Sequence, residues 1–231
     1  MGQQFKLSAE QRPKDDEERK EMSKIPYANI IGSVMYVMVC TRPYIAHAVS
    51  LTSRYMSDPG RVHWQTLKWI LRYLRGSSDY GILSSAGQDQ TRDQLEGFCD
   101  SDYAANCENR KSQTGYIFTL FGSAISWKSN LQSVVALSTT EAEYNALTDA
   151  VKESYWLKGL LSDFGIVQKK TFHNKSKHMD VKLHFVREEV SKGGVEVRKI
   201  GTKHNHADAL TKALPATKFA YCLELVKVQR K

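Results

Sequence analysis

Gly97-Phe-Cys-Asp100-Ser-Asp-Tyr103, Thr114-Gly-Tyr-Ile-Phe-Thr-Leu120, Ala124-Ile-Ser-Trp-Lys128 and Ser138-Thr-Thr-Glu141-Ala-Glu143-Tyr-Asn-Ala-Leu147 decide the fold. The first three strings mix Gly, Phe, Tyr and Ile, with Phe121-Gly122-Ser123 as a turn between the second and third. That composition predicts a small antiparallel meander, with strands over 95–100, 115–120 and 124–128. The fourth string opens a long helix predicted from Thr140 to Phe164. Ser138 or Thr140 can cap it, with Glu141 or Glu143 as capping-box partner. Its apolar face is Ala146, Leu147, Ala150, Val151, Leu157 and Leu161. At about 100° per residue, Glu143 sits roughly 40° from Leu147 and Glu141 roughly 120° away. Glu143 is therefore expected to point toward the sheet and Glu141 toward solvent. A buried carboxylate without a partner is costly, so Glu143 needs a cation, a partner, or a role in the cap. With Asp100 at the end of the first strand, the stretch supplies two carboxylates for metal-dependent phosphoryl chemistry.

Downstream, Met179, Leu183, Val186 and Val190 predict one helical face, ended by Gly193-Gly194. A strand is expected over 195–200. A helix over Ala207–Leu214, stopped by Pro215, carries Asp208 in its first turn, where the helix dipole favours a carboxylate. A final amphipathic segment runs from Lys218 to Val228.

Upstream, residues 1–24 are polar and read as a linker without a site. Three helical segments follow over 27–40, 44–56 and 61–74, and Tyr80-Gly-Ile-Leu83 reads as a short strand. In the third helix Val62, Leu67, Ile70 and Leu74 share a face, while Lys68, Arg72 and Arg75 lie on or near another. Those three cations suit either a solvated face or a surface beside nucleic acid. The polar run over 84–94 places a boundary near residue 90.

The chain has 231 residues, 41% of them apolar and 25% charged, as in a soluble globular protein. A net charge of +8 is a modest bias toward polyanionic partners. Its four cysteines lack paired spacing, which argues against a zinc site and points to a reducing compartment, cytoplasmic or nuclear. No signal peptide is expected. The apolar run Ile30–Cys40 is too short for a bilayer, so no membrane partner is expected.

Six strings occur in order and carry a resemblance: Phe98-Cys-Asp-Ser-Asp-Tyr-Ala104, Arg110-Lys-Ser-Gln-Thr-Gly-Tyr116, Ala124-Ile-Ser-Trp-Lys-Ser129, Ala136-Leu-Ser-Thr-Thr-Glu-Ala-Glu-Tyr144, Lys177-His-Met-Asp-Val181 and Ala207-Asp-Ala-Leu-Thr-Lys212. Together they closely resemble the ribonuclease H domain that ends a copia-type retrotransposon Pol polyprotein. Residues 27–36, 41–49 and 68–76 resemble the segment after the reverse transcriptase palm. The resemblance covers the chain from about residue 24.

It implies an α/β fold, a ribonuclease H-like mixed sheet flanked by helices and preceded by a small helical segment. The domain division is then a polar linker at 1–24, a helical segment at 25–90 and the ribonuclease H-like domain at 91–231. It also implies hydrolysis of the RNA strand of an RNA/DNA hybrid with two divalent ions, Mg2+ or Mn2+. Other Pol regions of a parent polyprotein are implied partners. Residue by residue, the ligand roles fall on Asp100, Glu143 and Asp208. Asp102 and Glu141 match the pattern without being expected ligands, and His204 and His206 read as surface histidines.

Three departures bear on function. Family members carry a strand with a ligand Asp, then a helix, between the long helix and the Lys-His-Met-Asp helix. Here Phe164–Lys177 runs straight across, so one strand-helix unit is expected to be missing after about residue 166, and Asp180 does not take over the ligand role. Tyr44 replaces a favoured Asp, and the palm is absent. The functional readings are a retrotransposon-derived ribonuclease H or a catalytically inactive remnant that at most binds nucleic acid, and the missing ligand favours impaired cleavage.

Overall fold

The computed structural model describes residues 7–84, 94–166, 168, 172–173 and 180–230. Helix α1 spans Asp16–Ser23, α2 Tyr27–Thr41, α3 Ala46–Ser53 and α4 Arg61–Gly76. Strand β1 spans Tyr80–Ile82, β2 Glu96–Asp102, β3 Gln113–Leu120 and β4 Ser123–Leu131. The long helix α5 is Thr139–Asp163, followed by β5 at Phe172–His173, α6 at Asp180–Ser191 and β6 at Glu196–Val197. Short 3-10 turns at Ala9–Gln11 and Pro43–Ile45, a 3-10 helix at His206–Leu210, α7 at Ala216–Leu225 and β7 at Val228–Arg230 complete the described order.

The main sheet has the order β4-β3-β2-β5-β6. Strands β2, β3 and β4 form the expected antiparallel meander, and β5 and β6 add in parallel. The result is the expected α/β mixed sheet flanked by helices, with a helical segment before it. Successive strand residues face opposite sides. Cys99, Tyr116 and Phe118 join Leu147, Val151 and Leu157 of α5 in one cluster. Phe98, Ile117 and Trp127 pack into another with α2, α3, α4, the 3-10 helix and α7.

This second cluster crosses the boundary expected near residue 90, since Tyr27, Ile31, Val49 and Leu67 share it with Leu210 and Leu223. Trp127 Nε1 donates to Met38 O at 3.1 Å and Arg54 to Gln113 Oε1 at 2.7 Å. Strand β1 pairs antiparallel with β7, tying residue 80 to residue 230. Residues 25–84 therefore share a core with the sheet.

Several local expectations change. Part of the polar 1–24 stretch is helix α1, because Asp15 accepts a hydrogen bond from Glu18 N at 2.7 Å and Met22 is buried. The strand expected over 195–200 is only two residues long. The helix expected at Ala207–Leu214 is a shorter 3-10 turn. On α6, Val186 is buried but Val190 is exposed. Gly193 ends that region with a left-handed φ of 71°. Between α5 and α6 the described residues contain the short β5 and no helix. Lys177, His178 and Met179, and most of 84–94, lie outside the described residues.

One glycine positions the site. Gly115 on β3 pairs directly with Asp100 on β2. A Cβ there would lie 2.7 Å from Leu210 Cβ and 2.8 Å from Thr211 Cγ2. Only hydrogen at this position lets the 3-10 helix lie against the sheet. Gly115→Ala is expected to destabilise the fold by about 2 kcal/mol through overpacking, read as a lower urea midpoint at unchanged m-value.

Candidate metal centre

Asp100 lies near the end of β2, on the face away from α5, with its carboxylate buried. Asp208 lies in the 3-10 helix, fully buried. Asn205 starts that turn, accepting from Ala207 N at 3.1 Å and donating to Cys99 O at 3.0 Å. Its amide also lies 3.5 Å from Asp100 Oδ1. Asn205 thereby pins the turn to β2 and sets Asp208 beside Asp100.

Two lysines surround these carboxylates. Lys212 Nζ lies 2.6 Å from Asp208 Oδ1 and 3.7 Å from Asp100 Oδ2. Lys218 Nζ donates to Asp208 Oδ2, and Thr211 Oγ1 donates to Asp100 Oδ2. Burial raises Asp100 above the usual carboxylate range, against the opposing pull of Lys212 and Thr211. Asp102 is raised by burial as well, with Lys212 again opposing. Burial alone would lower Lys212, but Asp100, Asp208 and Asp102 carry it above its usual value. The ammonium of Lys212 is thus a counter-cation shared by neighbouring carboxylates.

Glu143 lies on α5, the helix that packs against the Cys99 face of the sheet. Its helix is capped by Ser138, which accepts from Glu141 N at 3.1 Å, while Glu141 Oε2 accepts from Leu137 N at 2.6 Å. The cap therefore uses Glu141, and Glu143 is half-buried. Burial pushes the Cys99 thiol up, and the carboxylates of Glu143 and Asp100 push it further. Both carboxylates thus lie within electrostatic reach of Cys99. The structure joins Asp100 to Asp208 through Lys212.

Among the described residues no group of three or more His, Cys, Asp or Glu is arranged to hold a metal ion. Asp100 Oδ2 and Asp208 Oδ1 are hard oxygen donors that face one ammonium. That donor pair fits one hard cation at the Lys212 position and does not make up a two-ion site.

The histidines differ from expectation in one respect. His204 is exposed, with Nδ1 3.1 Å from Tyr221 Oη. His206 is no surface histidine: its ring lies 3.7 Å from the Phe98 ring, and burial pushes it down to about 4. Sequence reasoning missed Asn205, Thr211, Lys212 and Lys218. Lys212 had a legible signal in its i,i+4 spacing from Asp208; Lys218, on α7, had none.

No family model matches the chain. A retrovirus-related Pol polyprotein from transposon TNT 1-94 of Nicotiana tabacum is 47% identical over 239 residues, covering 96% of this chain and 18% of that protein. A secreted RxLR effector protein 161 of Plasmopara viticola is 45% identical over 137 residues, covering 59% of this chain and 94% of that one. A solved N-terminal RNase H domain of rv2228c from Mycobacterium tuberculosis aligns with 51% of this chain and 95% of its own, at a TM-score of 0.38 and 13% identity, a likeness too slight to carry weight. The chain thus spans less than a fifth of the tobacco polyprotein's length.

Lys218→Met leaves the buried Asp208 with one cation in place of two. It is expected to cost about 2 kcal/mol of stability. Lys68→Met, at a half-buried position away from the carboxylate cluster, should stay within about 0.5 kcal/mol. Urea unfolding of the two variants compares these costs.

Proposed function

Because the chain belongs to the retrovirus-related Pol polyproteins of copia-type transposons, we propose that its sheet-bearing part is the ribonuclease H region of such a polyprotein and that this copy is impaired in cleavage. The substrate class is an RNA/DNA hybrid, recognised by backbone shape and 2′-hydroxyl groups in place of base reading. The motif strings from Phe98 to Lys212 support the assignment, as does a sheet with three antiparallel strands followed by two parallel ones. Other regions of a parent polyprotein are the proposed natural partners.

The observation that carries the impairment is the ammonium of Lys212 between Asp100 and Asp208. Hydrolysis of a phosphodiester needs an activated water and a stabilised leaving oxygen, which bound Mg2+ or Mn2+ ions supply in such sites. Asp100 and Asp208 are the residues that would hold an ion here, with Glu143 as the third proposed ligand. In the described geometry the first two carboxylates are neutralised within the chain. Lys212 would have to leave before an ion entered, and its departure leaves the fully buried Asp208 with Lys218 as its one named cation. That exchange opposes loading.

The bridge between α5 and α6 supports the same reading. The described part of it contributes only two residues to the sheet, paired to β2 through Glu96 and Phe172 at the end of β2 remote from Asp100.

A labelled RNA/DNA hybrid incubated with the full chain and Mg2+ or Mn2+ tests the proposal. The expected result is binding with little or no cleavage. Metal-dependent cleavage that disappears in Asp100→Asn would overturn the impairment while supporting the family reaction.

A further inference from the structure

We propose that the outer face of α5 is the surface through which two copies of this chain associate. Trp156 of each copy seats over the partner's Gly159, and Lys152 pairs with the partner's Asp163. The inference does not rest on the catalytic reading, because this face lies across the helix from the sheet.

In the C-terminal half of α5, Val151, Ser154, Leu157 and Leu161 are buried. The flanks of that buried face are taken up by the chain itself. On one side Glu153 accepts from Tyr116 Oη at 3.2 Å and from Ser126 Oγ at 2.6 Å. On the other, Tyr155 Oη donates to Glu189 on α6, and Lys158 Nζ donates to Gly194 O just after it. Between these flanks Lys152, Trp156, Gly159, Leu160 and Asp163 are exposed. They fall within an arc of about 100°, opposite the buried residues. Trp156 is 61% exposed and Leu160 37%, so the centre of the arc is apolar. Neither Lys152 nor Asp163 has an ion-pair partner among the described residues.

The arc is complementary to itself, and that selects a second copy as its occupant. A two-fold interface uses the same patch on both sides, so the patch must match its own rotated image. Two α5 helices laid antiparallel, with the axis level with Leu157 and Lys158, set position 156 against 159 and position 152 against 163. Each match occurs twice. Each Trp156 ring then enters the gap framed by the partner's Gly159, Leu160 and Asp163, as a knob enters a hole. Each Lys152 meets an opposite charge. A parallel pairing would set Lys152 against Lys152 and Trp156 against Trp156. Gly159 supplies a second, independent observation. A Cβ there would meet nothing within 4 Å in its own chain, so internal packing does not call for glycine. Glycine weakens a helix interior relative to alanine. An indole arriving from a second copy uses the space that glycine leaves. One helix face is smaller than a standard interface, so association in the micromolar range is expected.

Sedimentation equilibrium of the full chain across the micromolar range tests the proposal. Lys152→Asp and Asp163→Lys each turn two opposite-charge contacts into like-charge ones. Each is expected to weaken association about tenfold. An equimolar mixture of the two variants is expected to recover wild-type association as a heterodimer, because both contacts then join opposite charges. These side chains reach solvent, so the folded chain tolerates their exchange. Trp156→Ala is expected to weaken association about tenfold as well. Gly159→Gln is expected to weaken association while raising the melting temperature of the dilute chain. A chain that stays monomeric throughout the range would overturn the proposal. So would a dimer that both charge variants leave unchanged, or a mixture of the two variants that fails to recover.

Discussion

The closeness of the 3-10 helix to the sheet is the constraint on which the site depends. Gly115 stands across from Asp100, and the space its missing side chain leaves is filled by Leu210 and Thr211. That contact puts Asp208 beside Asp100, brings Thr211 Oγ1 to Asp100 and lets Asn205 reach the β2 backbone. Without the close approach, Asp208 would sit farther from the strand and have more access to water. Glycine in a strand usually weakens it, so its presence at this point is explained by the approach and not by the strand.

Close packing carries an electrostatic consequence. Asp208 is fully buried, and an unpaired buried carboxylate is strongly unfavourable. Lys212 and Lys218 neutralise it. Lys212 also lies near Asp100, so it serves both acids. The arrangement that stabilises the folded chain is the same one that competes with an entering divalent ion. Glu143 stands on the α5 side of β2 while Asp100 faces the 3-10 helix, as the alternation of strand side chains dictates. The third expected ligand is therefore supplied from a separate layer of the fold.

Much of this was legible in the sequence, for physical reasons. The α5 face from Ala146 to Leu161 follows helical periodicity, and all six expected residues are buried. The meander strands were found from composition and turn chemistry within two or three residues of their observed ends. What stayed hidden depended on contacts between distant residues. Nothing local marks Lys218 as the partner of an aspartate ten residues earlier, because the two are joined only when α7 folds back. The boundary expected near residue 90 came from polarity, which cannot show that Tyr27 and Leu67 share a core with Leu210. Helix α1 was missed because its charged residues lack an apolar stripe, yet Asp15 caps it and Met22 anchors it.

The helical segment and the sheet are one packed unit, held by a common cluster and by the β1–β7 pair. The outer face of α5 and the carboxylate cluster are separate surfaces on that unit. The central claim is that the cluster, as built, accepts at most one divalent ion, and only by displacing Lys212. The direct measurement is Mn2+ binding stoichiometry for the wild-type chain and Lys212→Met, by calorimetry or by paramagnetic relaxation of water. The account predicts weak binding of no more than one ion by the wild type and tighter binding of one ion when Lys212 is removed. Two tightly bound ions in the wild-type chain, or no gain in Lys212→Met, would contradict it.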